Sequence, residues 1–202
     1  MRTILQSETW QRSSEPLPEN SGDQRQYSRC FPRRMLAEVM LDAVSQVTDV
    51  PTEFKNIVYS GSDIKPTDAY PRGTRAIQLQ DSAVQSWFLQ TFGRNQRRIT
   101  CECERSDEPS MVQALHLSNG DTLNGKLSAP ENRLSKWLAA NMTNEEIISE
   151  IYLSCLARQP SAAEQAGLLA ELQRASTPEE RRATLEDVLW AVLSSREFLF
   201  NH

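Results

Sequence analysis

The chain has 202 residues, of which 39% are hydrophobic and 24% charged, and its mean hydropathy is -0.55. That length accommodates one full hydrophobic core or two small ones. No apolar run approaches the roughly 18 residues that a membrane-spanning helix needs. Polar residues follow Ile4 and Leu5 directly, so the N-terminal apolar stretch is too short to be the core of a signal peptide. Taken alone, the chain is therefore predicted to be cytoplasmic, with no membrane span.

The net charge of -5 argues against nucleic acid as a partner, because phosphate binding needs a clustered basic face. Two short groups of arginines do occur, within residues 25–34 and 94–98. Acidic residues flank both groups, so we interpret them as solvated surface.

Residues 1–31 are predicted to be a helix fragment followed by a linker. The first dozen residues place Ile4, Leu5 and Trp10 on a short helix that has no N-cap. Residues 13–31 are rich in Ser, Pro, Asn, Gly and Gln, which is typical of a loop. The helix begins abruptly, as though its upstream part were missing. We therefore expect an exposed apolar face near those three side chains, with self-association through it.

Residues 32–202 are predicted to form one helical domain. Pro32 opens a strongly amphipathic helix whose apolar residues recur every 3.6 positions, with Glu38, Asp42 and Gln46 on the polar face. Residues 49–75 contain three prolines and two glycines, so we expect a long irregular excursion.

Three shorter elements are predicted next. Residues 76–80 alternate apolar and polar side chains, which indicates a short strand. The helix after it is capped at residue 81 or 82, stops at Gly93 and carries an apolar stripe: Val84, Trp87, Phe88 and Phe92. Another helix opens at residues 106–109, ends at residues 119–120 and carries Met111, Val112, Leu115 and His116.

The last third of the chain contains three capping boxes, in which a Ser or Thr precedes a Glu by three positions. They begin at Thr143, Ser161 and Thr177, each just before an apolar-periodic run. Short connections between the runs favour antiparallel packing. The predicted fold is mainly α, a helical domain ending in an antiparallel three-helix bundle over residues 143–199. One or two short β-strands are expected around residues 76–80 and 99–103.

Residues 101–120 hold the densest group of chemically capable side chains, namely two cysteines, four carboxylates, an arginine and a histidine. An extended backbone puts Cys101 and Cys103 on one face and Glu102 and Glu104 on the other. The simplest interpretation is a half-buried strand whose thiols pack as small hydrophobic side chains.

Two other states of these cysteines stay open. The first is a disulfide. In an extended strand the Cα atoms of Cys101 and Cys103 lie near the largest separation that a disulfide can span, and a bridge to Cys30 is easier geometrically. Alternatively, Cys101 and Cys103 would hold zinc or iron with His116 as a third ligand. The sequence offers no obvious fourth ligand. The helix position of His116 favours a hydrogen-bonded, half-buried histidine over a metal ligand.

Paired carboxylates support general acid and base chemistry, which makes Glu102, Glu104 and Glu108 the candidate catalytic residues. Acidic residues beside a turn are also common on ordinary surfaces. The sequence contains no motif for covalent haem, no glycine-rich phosphate loop, no nucleophile elbow and no zinc-protease helix. By default, then, no cofactor is expected. Cys155 lies on the apolar stripe of its helix and is predicted to be a packing residue.

Several segments together resemble the planctomycete-specific C-terminal domain known as domain of unknown function 1553. The most specific is the ending, residues 185–202. The others are residues 33–43, 73–82, 92–94, 101–106, 108–110, 113–117, 119–120, 152–153 and 157–158. The resemblance spans nearly the whole chain.

The resemblance implies a place in a larger protein. In that family the domain usually closes an exported protein, behind a companion domain and a cytochrome c-like haem domain. Residues 4–14 look like an internal piece of the family domain, so a chain truncated at its N-terminus is expected. An exported parent would make disulfides more plausible. The family has no established catalytic residues to carry over.

Two hypotheses for function follow. The first is a non-catalytic structural or interaction module that packs against upstream domains or a cytochrome c-like domain of its parent protein. The second is a metal- or carboxylate-dependent enzyme of the cell envelope, hydrolase-like, with its site around residues 101–108.

Overall fold

The computed structural model describes residues 2–11, 15–23, 25–26, 28–59, 62–80, 83–94 and 110–201. Within these ranges the protein is mainly helical with short antiparallel strand pairs, which confirms the predicted fold class. The strand expected at residues 99–103 lies outside the described residues. None of the described helices is long and apolar enough to cross a membrane.

The structure contains helices and short strands with the following bounds, given in chain order. The helices are α1 Arg2–Leu5, α2 Ala37–Thr48, α3 Trp87–Thr91, α4 Met111–Asn119, α5 Asp121–Leu127, α6 Arg133–Ala139, α7 Asn144–Leu156, α8 Ala162–Leu172, α9 Pro178–Leu193 and α10 Arg196–Leu199. The strands are β1 Arg33–Arg34, β2 Asn56–Ile57, β3 Lys65–Pro66 and β4 Phe200–Asn201. Strand β1 pairs antiparallel with β4, and β2 pairs antiparallel with β3.

Helix α2 lies between two clusters of buried apolar side chains and belongs to both. Its C-terminal half contributes Val44 and Val47 to the first cluster, which helices α5 to α10 complete. Its N-terminal half contributes Met40 and Leu41 to the second cluster, which includes Phe54, Phe88 of α3 and Phe92 just after that helix. Burying apolar side chains of this size stabilises the fold by about 1.5–3 kcal/mol each.

The polar side of α2 is covered at Asp42, which the sequence pattern did not predict. Asp42 is only 8% exposed, and its carboxylate accepts backbone N–H groups of Ala76 at 2.6 Å and Ile77 at 3.2 Å. The Arg75 guanidinium lies 3.4 Å from the same carboxylate. Asp42 thus joins the chain at residues 75–77 to α2.

The strand predicted at residues 76–80 is wrong. Residues Ala76–Gln78 form a 3₁₀ turn, in which Ala76 is buried and Ile77 is 54% exposed. Leu79 is buried again, so burial follows a spacing of three rather than two. The Asp42 carboxylate binds the free N–H groups at the start of this turn, which favours a turn over an extended backbone.

Three helices begin later than predicted. Helix α2 starts at Ala37 because residues 33–34 pair with β4. Helices α3 and α4 are capped by Ser86 and Ser110, whose hydroxyls accept the N–H groups of Leu89 and Gln113. The helical surfaces also differ from the prediction, since Trp87 is exposed rather than part of an apolar stripe.

The three predicted capping boxes are all present. The side chains of Thr143, Ser161 and Thr177 each accept the backbone N–H of the glutamate three residues later. Helices α7, α8 and α9 contact one another pairwise, and α9 also packs on α5 and α10. The antiparallel three-helix bundle over residues 143–199 and the domain boundary at residue 31 stay predictions.

Basic side chains from α5 and α6 surround the C-terminal end of α2. Lys126 donates to the carbonyl of Val50 at 2.6 Å, and Arg133 donates to the carbonyl of Gln46 at 2.7 Å. Lys136 pairs with Asp49 and lowers the pKa of that carboxyl. Cations suit this end of a helix because its unpaired carbonyls carry partial negative charge. These contacts hold α5 and α6 against α2.

Lys126 gives a test by pH. The side chain is 7% exposed, and burial lowers its pKa from 10.5 to about 8. Between pH 8 and 10.5 the unfolded chain keeps a proton that the folded chain has released, so the free energy of unfolding rises with pH. Relative to the Lys126→Met variant, the wild type should gain about 3 kcal/mol across this range. Urea unfolding of both proteins at several pH values measures the difference.

Because the variant and the wild type share every other titrating group, the difference between them isolates Lys126. The exposed Lys65 supplies a matched control as Lys65→Met. A difference between wild type and Lys126→Met that does not change with pH would contradict this account.

Gly120 gives a second test, at the junction of α4 and α5. A Cβ atom at residue 120 would lie 2.3 Å from the carbonyl oxygen of His116, which is backbone and cannot easily move. We expect Gly120→Ala to lower the free energy of unfolding by about 1–3 kcal/mol. Gly125 in α5 has nothing within 4 Å of the same position. Gly125→Ala should therefore stabilise by about 0.5–1 kcal/mol, and equal effects in the two variants would refute the steric argument.

Candidate functional site

The predicted cluster around residues 101–108 lies outside the described residues, and this includes Cys101, Glu102, Cys103, Glu104 and Glu108. His116 is described and lies on α4. The structure therefore tests neither the proposed metal site nor the carboxylate pair. Across the described ranges, no group of three or more His, Cys, Asp or Glu side chains is placed to hold a metal ion.

His116 is half-buried against the rings of Phe88 in α3 and of Phe92 just after that helix. Its ring meets Phe88 edge-on at a centroid distance of 5.5 Å and Phe92 at 6.0 Å. Burial lowers the pKa of His116, and the Asp121 carboxylate opposes that shift. The Nε2 atom is buried and has no hydrogen-bond partner among the described residues. Burial thus favours the neutral imidazole, which is the form that binds metals or accepts protons.

The side chain of Gln113 fixes α4 in place. Its amide nitrogen donates to the carbonyl of Thr91 at 3.0 Å, at the end of α3. Its amide oxygen accepts the backbone N–H of Ser110 at 3.3 Å and a guanidinium N–H of Arg34. Gln113 is only 8% exposed, and it completes the capping box of α4. One buried amide thus joins α4 to α3 and to strand β1.

A groove of about 440 Å³ opens between α4 and the β1–β4 strand pair. Apolar side chains form most of its surface: Pro32, Phe92, Ala114, Leu117, Leu199 and Phe200. Arg33, Arg34, Ser110 and Gln113 supply the polar groups. A mostly apolar cavity with a few convergent polar groups is the usual form of a small-molecule site.

The outer surface of α4 is apolar and exposed. Met111 is 78% exposed, Val112 53% and Leu115 55%. Sequence periodicity correctly grouped these residues on one helix but implied that they face a core. The structure instead turns Gln113, His116 and Leu117 inward. Three exposed apolar side chains within five residues mark a surface that is suited to contact another molecule.

A network around Arg158 holds the C-terminal helices together. The guanidinium contacts both carboxylate oxygens of Glu164 at 2.9 and 3.0 Å and both of Glu197 at 2.6 and 2.8 Å. It also lies 5.2 Å from the Tyr152 ring centroid. Arg158 holds the pKa of Glu164 well below its ordinary range. A carboxylate so stabilised is a poor proton donor, so Glu164 does not suit acid catalysis.

The described cysteines are free thiols. Cys30 is exposed, and Cys155 is partly buried against the first core cluster, as predicted for a packing residue. Burial raises the pKa of the Cys155 thiol to about 12. A thiol that stays protonated at physiological pH is a weak nucleophile, so Cys155 is not suited to thiol chemistry.

Two arginines that the sequence pattern assigned to the surface are partly buried, namely Arg34 and Arg94. The Arg94 side chain is 8% exposed and its guanidinium lies 3.8 Å from the Glu38 carboxylate of α2. The Arg34 guanidinium donates to Gln113 and to the carbonyl of Phe92. The interpretation of both arginine groups as solvated surface was wrong at these two positions. A signal was present, because Arg34 directly precedes an apolar stretch and Arg94 lies two residues after Phe92, and guanidinium groups often stack on aromatic rings.

The family comparison agrees with the resemblance drawn from the sequence. The model of a family described as protein of unknown function (DUF1553), PSD1, matches residues 1–172. The match runs through α8 and leaves the ending at residues 185–202 outside it. Comparison with curated proteins and comparison with solved structures each gave no match. The chain belongs to the DUF1553 family.

Proposed function

We propose that this chain is a non-catalytic interaction module, and that the exposed face of α4 is where it contacts a second domain of its parent protein. The observation that carries the proposal is the exposure of Met111, Val112 and Leu115 on one well-anchored helix. Such side chains gain free energy when a partner removes them from water.

The way α4 is held supports a rigid docking surface. The Ser110 cap, the Gln113 amide and the His116 ring fix the inner side of the helix. The outer side chains therefore bind without a large cost in backbone order. A rigid apolar helix face suits recognition of another folded domain.

The family resemblance supports a partner domain within the same parent protein. We propose that the parent protein is exported and planctomycete-type, and that the partner is its companion domain or a cytochrome c-like domain. The apolar side chains of Ile4, Leu5 and Trp10 are also exposed and offer a second contact surface in the same assembly.

A surface variant tests this function. We expect the wild-type chain to bind an apolar fluorescent dye and to self-associate as its concentration rises. Replacing Met111, Val112 and Leu115 together with Gln should reduce dye binding several-fold and weaken self-association in analytical ultracentrifugation. Glutamine keeps helix propensity close to that of the replaced residues, so thermal unfolding should change little.

A matched control replaces Ile64 and Ile77, which are exposed but lie apart from α4. This double Gln variant should behave as the wild type in both measurements. A wild-type chain that stays monomeric at all concentrations and binds no dye would overturn the proposal.

A second candidate function is that of a metal-dependent enzyme. The observation that favours it is the environment of the His116 ring. The neutral imidazole has a buried Nε2 atom without a partner among the described residues. With Cys101 and Cys103 it would form a three-ligand set, which is a typical number for a catalytic zinc site. The carboxylates Glu102, Glu104 and Glu108 would then act beside the metal.

Metal analysis separates the two functions. The purified chain is compared with Cys103→Ser and His116→Gln by elemental analysis after dialysis. If the chain is an interaction module, all three proteins should contain far less than one metal equivalent. Stoichiometric zinc or iron in the wild type, lost in both variants, would favour the enzyme and justify a search for hydrolytic activity.

A further inference from the structure

We propose that the groove between α4 and the β1–β4 strand pair binds a small amphipathic carboxylate, a molecule with an apolar body and one acidic head. The groove lies on the side of α4 that Ala114 and Leu117 form, whereas Met111 and Leu115 form the exposed outer face. The inference is thus independent of the proposed domain contact.

The charge of the lining residues carries the argument for an anion. The chain as a whole has a net charge of -5, yet this groove is lined by Arg33 and Arg34 and by no acidic side chain among the described residues. The apolar walls of Phe92, Leu117 and Phe200 lower the local dielectric, which strengthens the attraction for a negative group. A groove of this kind favours an anion over a neutral molecule of the same shape.

Arg34 is held in a fixed position beside the groove. Its guanidinium donates to the Gln113 side chain and to the carbonyl of Phe92 at 3.3 Å. It also lies 5.7 Å from the centroid of the Phe92 ring. A guanidinium that is already fixed loses little rotamer freedom when an anion arrives, and its planar shape matches a carboxylate.

The size of the groove decides between a small molecule and a protein. Its volume of about 440 Å³ falls within the roughly 300–1,000 Å³ typical of small-molecule sites. A stable protein contact would cover about 800 Å² on each partner, far beyond ten lining residues. A single apolar chain or ring with an acidic head fits the shape.

The test compares octanoate with 1-octanol, which have equal apolar bodies and differ in the head group. Both are titrated into the full chain by calorimetry. Trp190 gives a second readout by fluorescence, because its indole N–H donates to the carbonyl of the groove residue Leu117 at 3.3 Å. We expect octanoate to bind at least tenfold more tightly than octanol, and we expect added salt to reduce that ratio.

Variants locate the site. Ala114→Phe projects a ring into the groove from an exposed helix position and should weaken both ligands at least tenfold. Ala114→Gln is a smaller change, which provides a folded variant if Ala114→Phe disturbs folding. It should weaken the binding of octanoate and of octanol several-fold. Arg33→Gln should reduce the octanoate preference several-fold and leave octanol binding unchanged. Ala139→Phe, at an exposed position of α6, is the matched control and should bind as the wild type does.

Three results would overturn the proposal. If neither octanoate nor octanol binds, the groove is not a ligand site. Equal affinity for octanoate and octanol would refute selection by charge. Binding that survives both changes at Ala114 would place the ligand elsewhere on the chain.

Discussion

The burial of α2 over most of its surface is the constraint on which the rest of the structure depends. The helix connects two apolar clusters along its length, with Met40 and Leu41 in one and Val44 and Val47 in the other. Met35 and Leu199 pack against both clusters and close the space between them. Loss of α2 would expose two cores together, so cooperative unfolding is expected.

The polar groups of α2 extend this constraint to distant parts of the chain. Asp42 binds the turn at residues 76–77, while the carbonyls at the C-terminal end bind Lys126 and Arg133. Breaking one partner of such a buried contact leaves an unsatisfied group that costs about 1–3 kcal/mol. The 3₁₀ turn and helices α5 and α6 thus gain a fixed position from hydrogen bonds to α2 and to the residues just after it.

Helix α4 is organised in a different way, and this difference explains why it is the candidate for function. Its inner side is fixed by Gln113 and His116, but its outer apolar residues contact no core. Beside it, Arg34 lies within a mainly apolar groove. An exposed apolar face and a basic groove each cost solvation free energy in the isolated chain, which a bound partner or ligand would return.

The sequence by itself determined the local features of this protein, because these depend on residues close together in the chain. It predicted the mainly helical class and the caps at Thr143, Ser161 and Thr177, since each cap joins groups only three residues apart. Only the tertiary structure decided which polar and apolar faces are covered. Periodicity shows that a helix has two faces, but burial of Asp42 and exposure of Leu115 depend on segments that are distant in sequence.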